Sequence, residues 1–349
     1  MRKLIYLIWA IVLFTSCHKS SEGDSSDSIY LSAAVESSKN TKSPYIYTSP
    51  TQDAVLHAAI WASSIDRQYK NLGYNGKQGD GSVAIHTSAR FESSKPQLLS
   101  QAVYPKNAST VYFVGFYPIS TWDVNAEGNK AEFTFDGNDD VMFAPQISGA
   151  YAQLYENSPV LGFKHLLTWL KIKIIADDEL TMKAWGDIQS MKITSKNHVT
   201  VDLSKDYVYE TCVDYTDAGD GLFSLYATGS DNVFPPAGGY TMPYKPAVTS
   251  PQEVAYVLCS PVTASASQVV DGNDVPTAEY TLHIETARRK VSVPIDLKIN
   301  ENSGGYYIGS TRGKYFTLNL TFKMGNTIVV SSKVQDWTLG GFGDISFNE

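Results

Sequence analysis

Residues 316–334 read FTLNLTFKMGNTIVVSSKV. Phe316, Leu318, Leu320 and Phe322 fall on one side of an extended chain, opposite Thr317, Asn319, Thr321 and Lys323. Successive Cβ atoms of a strand point to opposite faces, so this period of two marks a strand with one buried face. Gly325-Asn326 supplies residues that tolerate left-handed backbone, as a tight turn requires. Ile328, Val330, Ser332 and Val334 then return with the same period. The stretch predicts a β-hairpin laid against a core.

The same alternation recurs upstream. In 291–299 (VSVPIDLKI) the odd positions are apolar, and Pro294 cannot donate to a ladder, which predicts an edge strand or a bulge. Tyr280, Leu282 and Ile284 alternate likewise. In 166–174 (LLTWLKIKI), Leu166, Leu170, Ile172 and Ile174 point inward and Lys171 and Lys173 outward. Residues 111–117 (VYFVGFY) are apolar on both faces, which suits a central strand covered twice or one whose outer face meets a partner. Residues 54–63 (AVLHAAIWAS) fit a short helix or a strand. No fixed-period repeat is present, so solenoids and propellers are not expected.

Composition agrees with short strands and tight turns. Aromatics make up 12% of the 349 residues, charged residues only 18%, and Gly and Pro are spread throughout. The chain is long enough for two domains of ordinary size. The expected class is all-β, with two β-sandwich domains in tandem at 29–212 and 213–349, joined within 205–221. The net charge of -8 and the absence of any basic cluster beyond Arg288-Arg289-Lys290 exclude a nucleic-acid partner.

The first residues carry an address. Met1-Arg2-Lys3 is a short basic start, Leu4 to Phe14 is an apolar run of eleven residues, and Thr15-Ser16 precede Cys17. That order is a secretory signal peptide. Ending at a cysteine, residues 1–17 resemble a bacterial lipoprotein signal, in which the Cys17 thiol is acylated and becomes the mature N-terminus; an ordinary signal peptide with an incidental cysteine is the alternative. Residues 18–28 (HKSSEGDSSDS) are too polar to offset their ordering entropy and predict a flexible tether. His18, where lipoproteins kept at the inner membrane resemble one another in carrying Asp, points to delivery to the outer membrane or cell surface.

No catalytic pattern stands out, and the chain is not expected to be an enzyme. His57, His86, His165, His198 and His283 lack metal-ligand spacing, so neither a metal nor a cofactor is expected. Residues 309–314 (GSTRGK) are one residue short of a phosphate loop, and Tyr315 stands where a hydroxyl should hold magnesium. The acidic stretches 136–140, 217–220 and 271–274 read as turns. Cys212 and Cys259 could pair in an oxidising compartment, although Cys259 sits in an apolar run where cysteine is often a small buried hydrophobe. Trp61, Trp122, Trp169, Trp185 and Trp337 serve either as stacking platforms for sugars or as core filling, and core filling is favoured.

The whole pattern resembles the fimbrillin family. The likeness is carried by Ile29–Val35 followed by Thr41-Lys42-Ser43, by 111–118 (VYFVGFYP), by 163–174 (FKHLLTWLKIKI), and by 313–320 (GKYFTLNL) through 334–337 (VQDW). The resemblance implies two transthyretin-like β-sandwich domains and a fimbrial structural or tip/accessory adhesin subunit at the outer membrane. It also implies assembly by protease-triggered strand exchange: the first strand, Ile29, Leu31, Ala33 and Val35 included, leaves after cleavage, and a neighbouring subunit's strand fills the groove. No arginine lies between Cys17 and Arg67, so the candidate processing residues are Lys42 and Lys39. The implied partners are other fimbrial subunits, a host or bacterial surface glycan or protein, and the outer membrane through the lipid. After Trp337, Phe342, Ile345 and Phe347 form a short donor strand or finish the sandwich, and the nearby glycines favour a tip or accessory role. The alternative is a non-polymerising surface lipoprotein that binds glycans.

Overall fold

The computed structural model describes residues 28–35, 55–69, 84–92, 97–104, 110–119, 122–150, 157–216, 221–262, 267–270, 273–276, 280–295, 297–299, 306–307 and 312–336. The chain begins with β1 (Ser28–Val35), β2 (Val55–Ser63), β3 (Ala84–Glu92), β4 (Gln97–Val103) and β5 (Val111–Tyr117). Next come β6 (Asp123–Val124), β7 (Lys130–Thr134), β8 (Met142–Gly149), β9 (Val160–His165) and β10 (Thr168–Ala176). Helix α1 (Glu179–Trp185) precedes β11 (Ile188–Thr194) and β12 (His198–Asp202), and α2 (Tyr209–Cys212) precedes β13 (Val213–Thr216). The remainder holds β14 (Leu222–Ala227), β15 (Val233–Phe234), β16 (Gln252–Cys259), β17 (Ser267–Val270), β18 (Asn273–Pro276) and β19 (Tyr280–Thr286). It closes with β20 (Lys290–Ile295), β21 (Lys298–Ile299), β22 (Tyr306–Tyr307), β23 (Lys314–Phe322) and β24 (Ile328–Asp336). The described chain is therefore almost wholly β.

A seven-stranded sheet runs β3-β2-β5-β8-β9-β1-β4. Its end strands β3 and β4 are consecutive in the chain and lie against each other, so the sheet curls toward closure. A nine-stranded sheet runs β20-β19-β11-β14-β16-β10-β23-β24, with β15 on β14. A four-stranded sheet, β13-β12-β7-β6, brings residues 123–134 beside 198–216, and β17–β18 and β21–β22 are two-stranded. The nine-stranded sheet draws β10 and β11 from before position 212, and β12 pairs with β13 across 212–213.

The hairpin read from 316–334 is β23–β24, with Phe322 opposite Ile328 and Leu318 opposite Ser332. Gly325 and Asn326 turn it at φ of 79° and 70°, the left-handed region their small or polar side chains allow. Phe316, Leu318, Leu320 and Phe322 are fully buried. Beside β23 lies β10 in parallel, its Leu170, Ile172 and Ile174 buried in the same core. Tyr280, Leu282 and Ile284 of β19 face inward too. Pro294 sits on β20, which ends the sheet order, so its missing N–H costs no ladder bond. Of the two readings of 54–63, the strand is correct: β2 lies inside the seven-stranded sheet.

Strand β5 is covered on both faces. Val111 and Phe113 enter one core with β1, β2, β8 and β9, while Val114 and Phe116 enter the other with Trp122, Phe133 and Phe143. Gly115 makes room on the first face. A Cβ there would stand 2.6 Å from Phe163 Cζ and 3.2 Å from Ala144 Cβ, and the Phe163 ring is fully buried. Gly115→Ala is therefore expected to destabilise by about 1–3 kcal/mol through overpacking. Urea unfolding would read the loss, and an unchanged midpoint would show that the Phe163 ring yields freely.

Candidate subunit-docking groove around the first strand

The sequence of β1, SIYLSAAV, places Ile29, Leu31, Ala33 and Val35 on one side by simple alternation. The structure buries all four, Ile29 and Leu31 completely. They enter a core with Leu56, Ile60, Phe113, Met142, Leu161 and Phe163. Each large apolar side chain placed there contributes about 1.5–3 kcal/mol relative to an exposed one.

The backbone of β1 is held in two halves. Ser28, Tyr30 and Leu31 register antiparallel with Val103, Leu98 and Gln97 of β4, with a shift of register between Ser28 and Tyr30. Ser32, Ala33, Ala34 and Val35 register parallel with Val160, Leu161, Gly162 and Phe163 of β9. Ser32 N–H also donates to Pro159 O at 2.9 Å. A strand whose N-terminal half is tied on one side and whose C-terminal half is tied on the other joins two ladders that would otherwise be edges. Removing it would open the backbone of β4 and β9 and lay bare the apolar floor between them. One polar atom is built into that floor: the Tyr104 hydroxyl is buried without a hydrogen-bond partner among the described residues. Burial pushes its ionisation up to about 12.

The other residues singled out by sequence divide plainly. Cys17, Lys39, Lys42 and Trp337 lie outside the described residues, as does the tail with Phe342, Ile345 and Phe347. Trp61, Trp122, Trp169 and Trp185 are all buried and fill cores, so none of these four offers a stacking face to a sugar. Cys212 and Cys259 are free thiols, both buried, and burial pushes the Cys259 thiol up. His198 is bonded to Thr134, and His283 to Thr194 and Ser292, each on a strand. No group of metal-binding side chains gathers among the described residues, and no helix among them is long and apolar enough to cross a membrane.

Sequence reading missed one pair. His165 Nδ1 and Asp140 Oδ2 form a buried hydrogen bond of 2.7 Å where β9 ends and β8 is about to begin. The bond is reinforced by Leu166 N–H donating to Val141 O at 2.8 Å. The two residues are 25 apart in sequence and belong to no spaced motif, so only the β8–β9 pairing brings them together.

A family model described as fimbrillin-like matches residues 45–337, which is more than half of the chain and begins beyond β1. No curated protein matches. Among solved structures, a provisionally assigned cell adhesion protein from Bacteroides uniformis is similar at 18% identity and TM-score 0.49, over 89% of this chain and 99% of that one. A fimbrial protein from Bacteroides vulgatus gives 14% and 0.46, over 88% and 99%. The fimbrial anchor protein Mfa2 from Porphyromonas gingivalis gives 9% and 0.41, over 89% and 97%.

Proposed function

Because the chain belongs to the fimbrillin-like family, we propose that it is a fimbrial subunit, structural or tip/accessory, assembled at the outer membrane by strand exchange. The family is structural and adhesive, not enzymatic. Export follows the Cys17 signal, and the lipid on Cys17 tethers the chain through the 18–28 spacer. Cleavage after Lys42 or Lys39 then cuts the link between β1 and β2. The freed β1 leaves, and a strand from a neighbouring subunit takes its place between β4 and β9.

The observation that carries this reading is the position of β1: a strand from the chain's beginning, buried on its apolar face, closing two ladders at once. A replacement strand gains the same backbone bonds and the same trough, so main-chain pairing gives affinity and the pockets give selectivity. We read the two large sheets as the centres of tandem transthyretin-like sandwiches. The nine-stranded sheet takes β10 and β11 from before Cys212, and the β13-β12-β7-β6 sheet joins 123–134 to 198–216, so the two sandwiches share strands around 166–216 instead of parting at one residue. Strand pairing with sister subunits is the primary partnership, and a surface glycan or protein is a further one.

The test is the N-terminal residue and intact mass of protein shaved from live cells, with and without surface protease activity. A chain beginning at Ser43 or Asn40 and running in SDS-resistant ladders is the expected result. A chain always beginning at lipidated Cys17 and always monomeric would sink the polymerising role.

A further inference from the structure

We propose that the outward face of β11, β19 and β20 binds an acidic saccharide, a sugar carrying carboxylate or sulfate. Three strands in register build this face. Lys192 of β11 stands opposite His283 of β19, which stands opposite Ser292 of β20. One step along, Ser190 stands opposite Glu285, which stands opposite Lys290. These six side chains line a depression of about 380 Å³, in the range of small-ligand sites and roomy enough for one or two sugar rings.

The centre of the face is held by hydrogen bonds within it. His283 spends both ring nitrogens inside the face, Nε2 on Thr194 Oγ1 at 3.1 Å and Nδ1 on Ser292 Oγ at 3.0 Å. One nitrogen therefore accepts and the other donates in the neutral ring, and both hydroxyls are oriented by it. Lys290 is steadied by Glu285 at 2.8 Å. Lys192 makes no ion pair with any described residue, so a full positive charge stands open on a chain of net charge -8. Beneath them Met191, Ile193, Leu282, Ile284 and Val293 are buried, so the strands that carry the site are anchored in the core.

Charge complementarity selects the occupant. Two ammonium groups against one carboxylate favour an anion, and the hydroxyls of Ser190 and Ser292 suit a polyhydroxylated partner. The face has no aromatic side chain to stack on a neutral sugar. Affinity must then rest on the ammonium groups and fall with added salt. The face lies on a different sheet from the β1 groove and does not depend on strand exchange, so either reading can fail alone.

The experiment titrates the full chain with three length-matched oligosaccharides: a sulfated heparin fragment, a carboxylated oligogalacturonate, and neutral dextran. Binding of at least one charged probe, and none of dextran, is expected. Which charged probe binds identifies sulfate or carboxylate as the recognised group. Lys192→Gln/Lys290→Gln should raise Kd about tenfold or more, and Lys192→Arg should retain binding. Lys183→Gln/Lys333→Gln removes the same net charge from exposed lysines elsewhere and should leave Kd unchanged. Silence with both charged probes, dextran binding as well as they do, or equal losses in the two double variants would overturn the assignment. Thermal unfolding of each variant separates loss of binding from loss of fold.

Discussion

Leu31→Asp is expected to cost about 4 kcal/mol and to release β1 from its sheet without any proteolysis. Leu31 is fully buried, and an unpaired carboxylate at that position has neither water nor a cation to replace it. The chain has a local escape. In the sheet β1 pairs with β4 and β9 and not with β2, so its withdrawal breaks no β2 pairing. The loss should therefore be confined. Amide exchange is expected to quicken on β9 from Val160 to Phe163 and on β4, the two strands that β1 joins. The β10–β23 pairing lies in the other large sheet and should keep its protection. Uniform loss of protection in both sheets would mean that β1 is an integral part of one cooperative unit rather than a removable strand. No change at all would mean that the trough is not where Leu31 lies. Leu31→Met conserves volume and apolarity and should cost less than about 1.5 kcal/mol, which ties the larger effect to charge.

Much of the fold was legible because half-buried strands write their burial into alternate residues. The hairpin at 316–334, the edge strand with Pro294 and the inward face of 280–284 all came from that rule. Residues 54–63 stayed ambiguous because Ala58, Ala59, Ile60, Trp61 and Ala62 are all buried, and a strand covered on both faces loses its period. Partnership was not legible. That β10 runs parallel to β23, about 145 residues away, or that β1 divides its pairing between β4 and β9, depends on long-range closure that leaves no local mark. The polar face of β11, β19 and β20 was hidden for the same reason: Lys192, His283 and Ser292 become neighbours only through register. The Asp140–His165 pair belongs to this group as well. Alternation reports which side of a strand is buried, whereas sites are made by which strands meet.

Trp185 decides between the two uses sequence reading allowed for tryptophan. Helix α1 places it by a short run with clear limits: the Asp178 carboxylate accepts from Thr181 N–H at 2.6 Å at the start, and Gly186 at φ 72° ends it. The indole then reaches across to the β23–β24 hairpin, its Nε1–H donating to Lys323 O at 2.9 Å and its ring meeting Phe322 edge-on at 5.1 Å. The Arg289 guanidinium also lies over the ring, 4.8 Å from its centre, and Thr286 Oγ1–H donates to the Trp185 carbonyl at 2.6 Å. One side chain thus ties the helix, the β19–β20 turn and the terminal hairpin together. Trp185→Ala is expected to cost about 3–5 kcal/mol, the range for emptying a large buried aromatic site. Trp185→Phe keeps an aromatic ring but loses the donor to Lys323 O, and should cost about 1–3 kcal/mol. Urea unfolding measures both. A platform tryptophan would behave oppositely, losing sugar affinity with stability unmoved, so a cost below about 1 kcal/mol for Trp185→Ala would return it to the surface and reopen the stacking role.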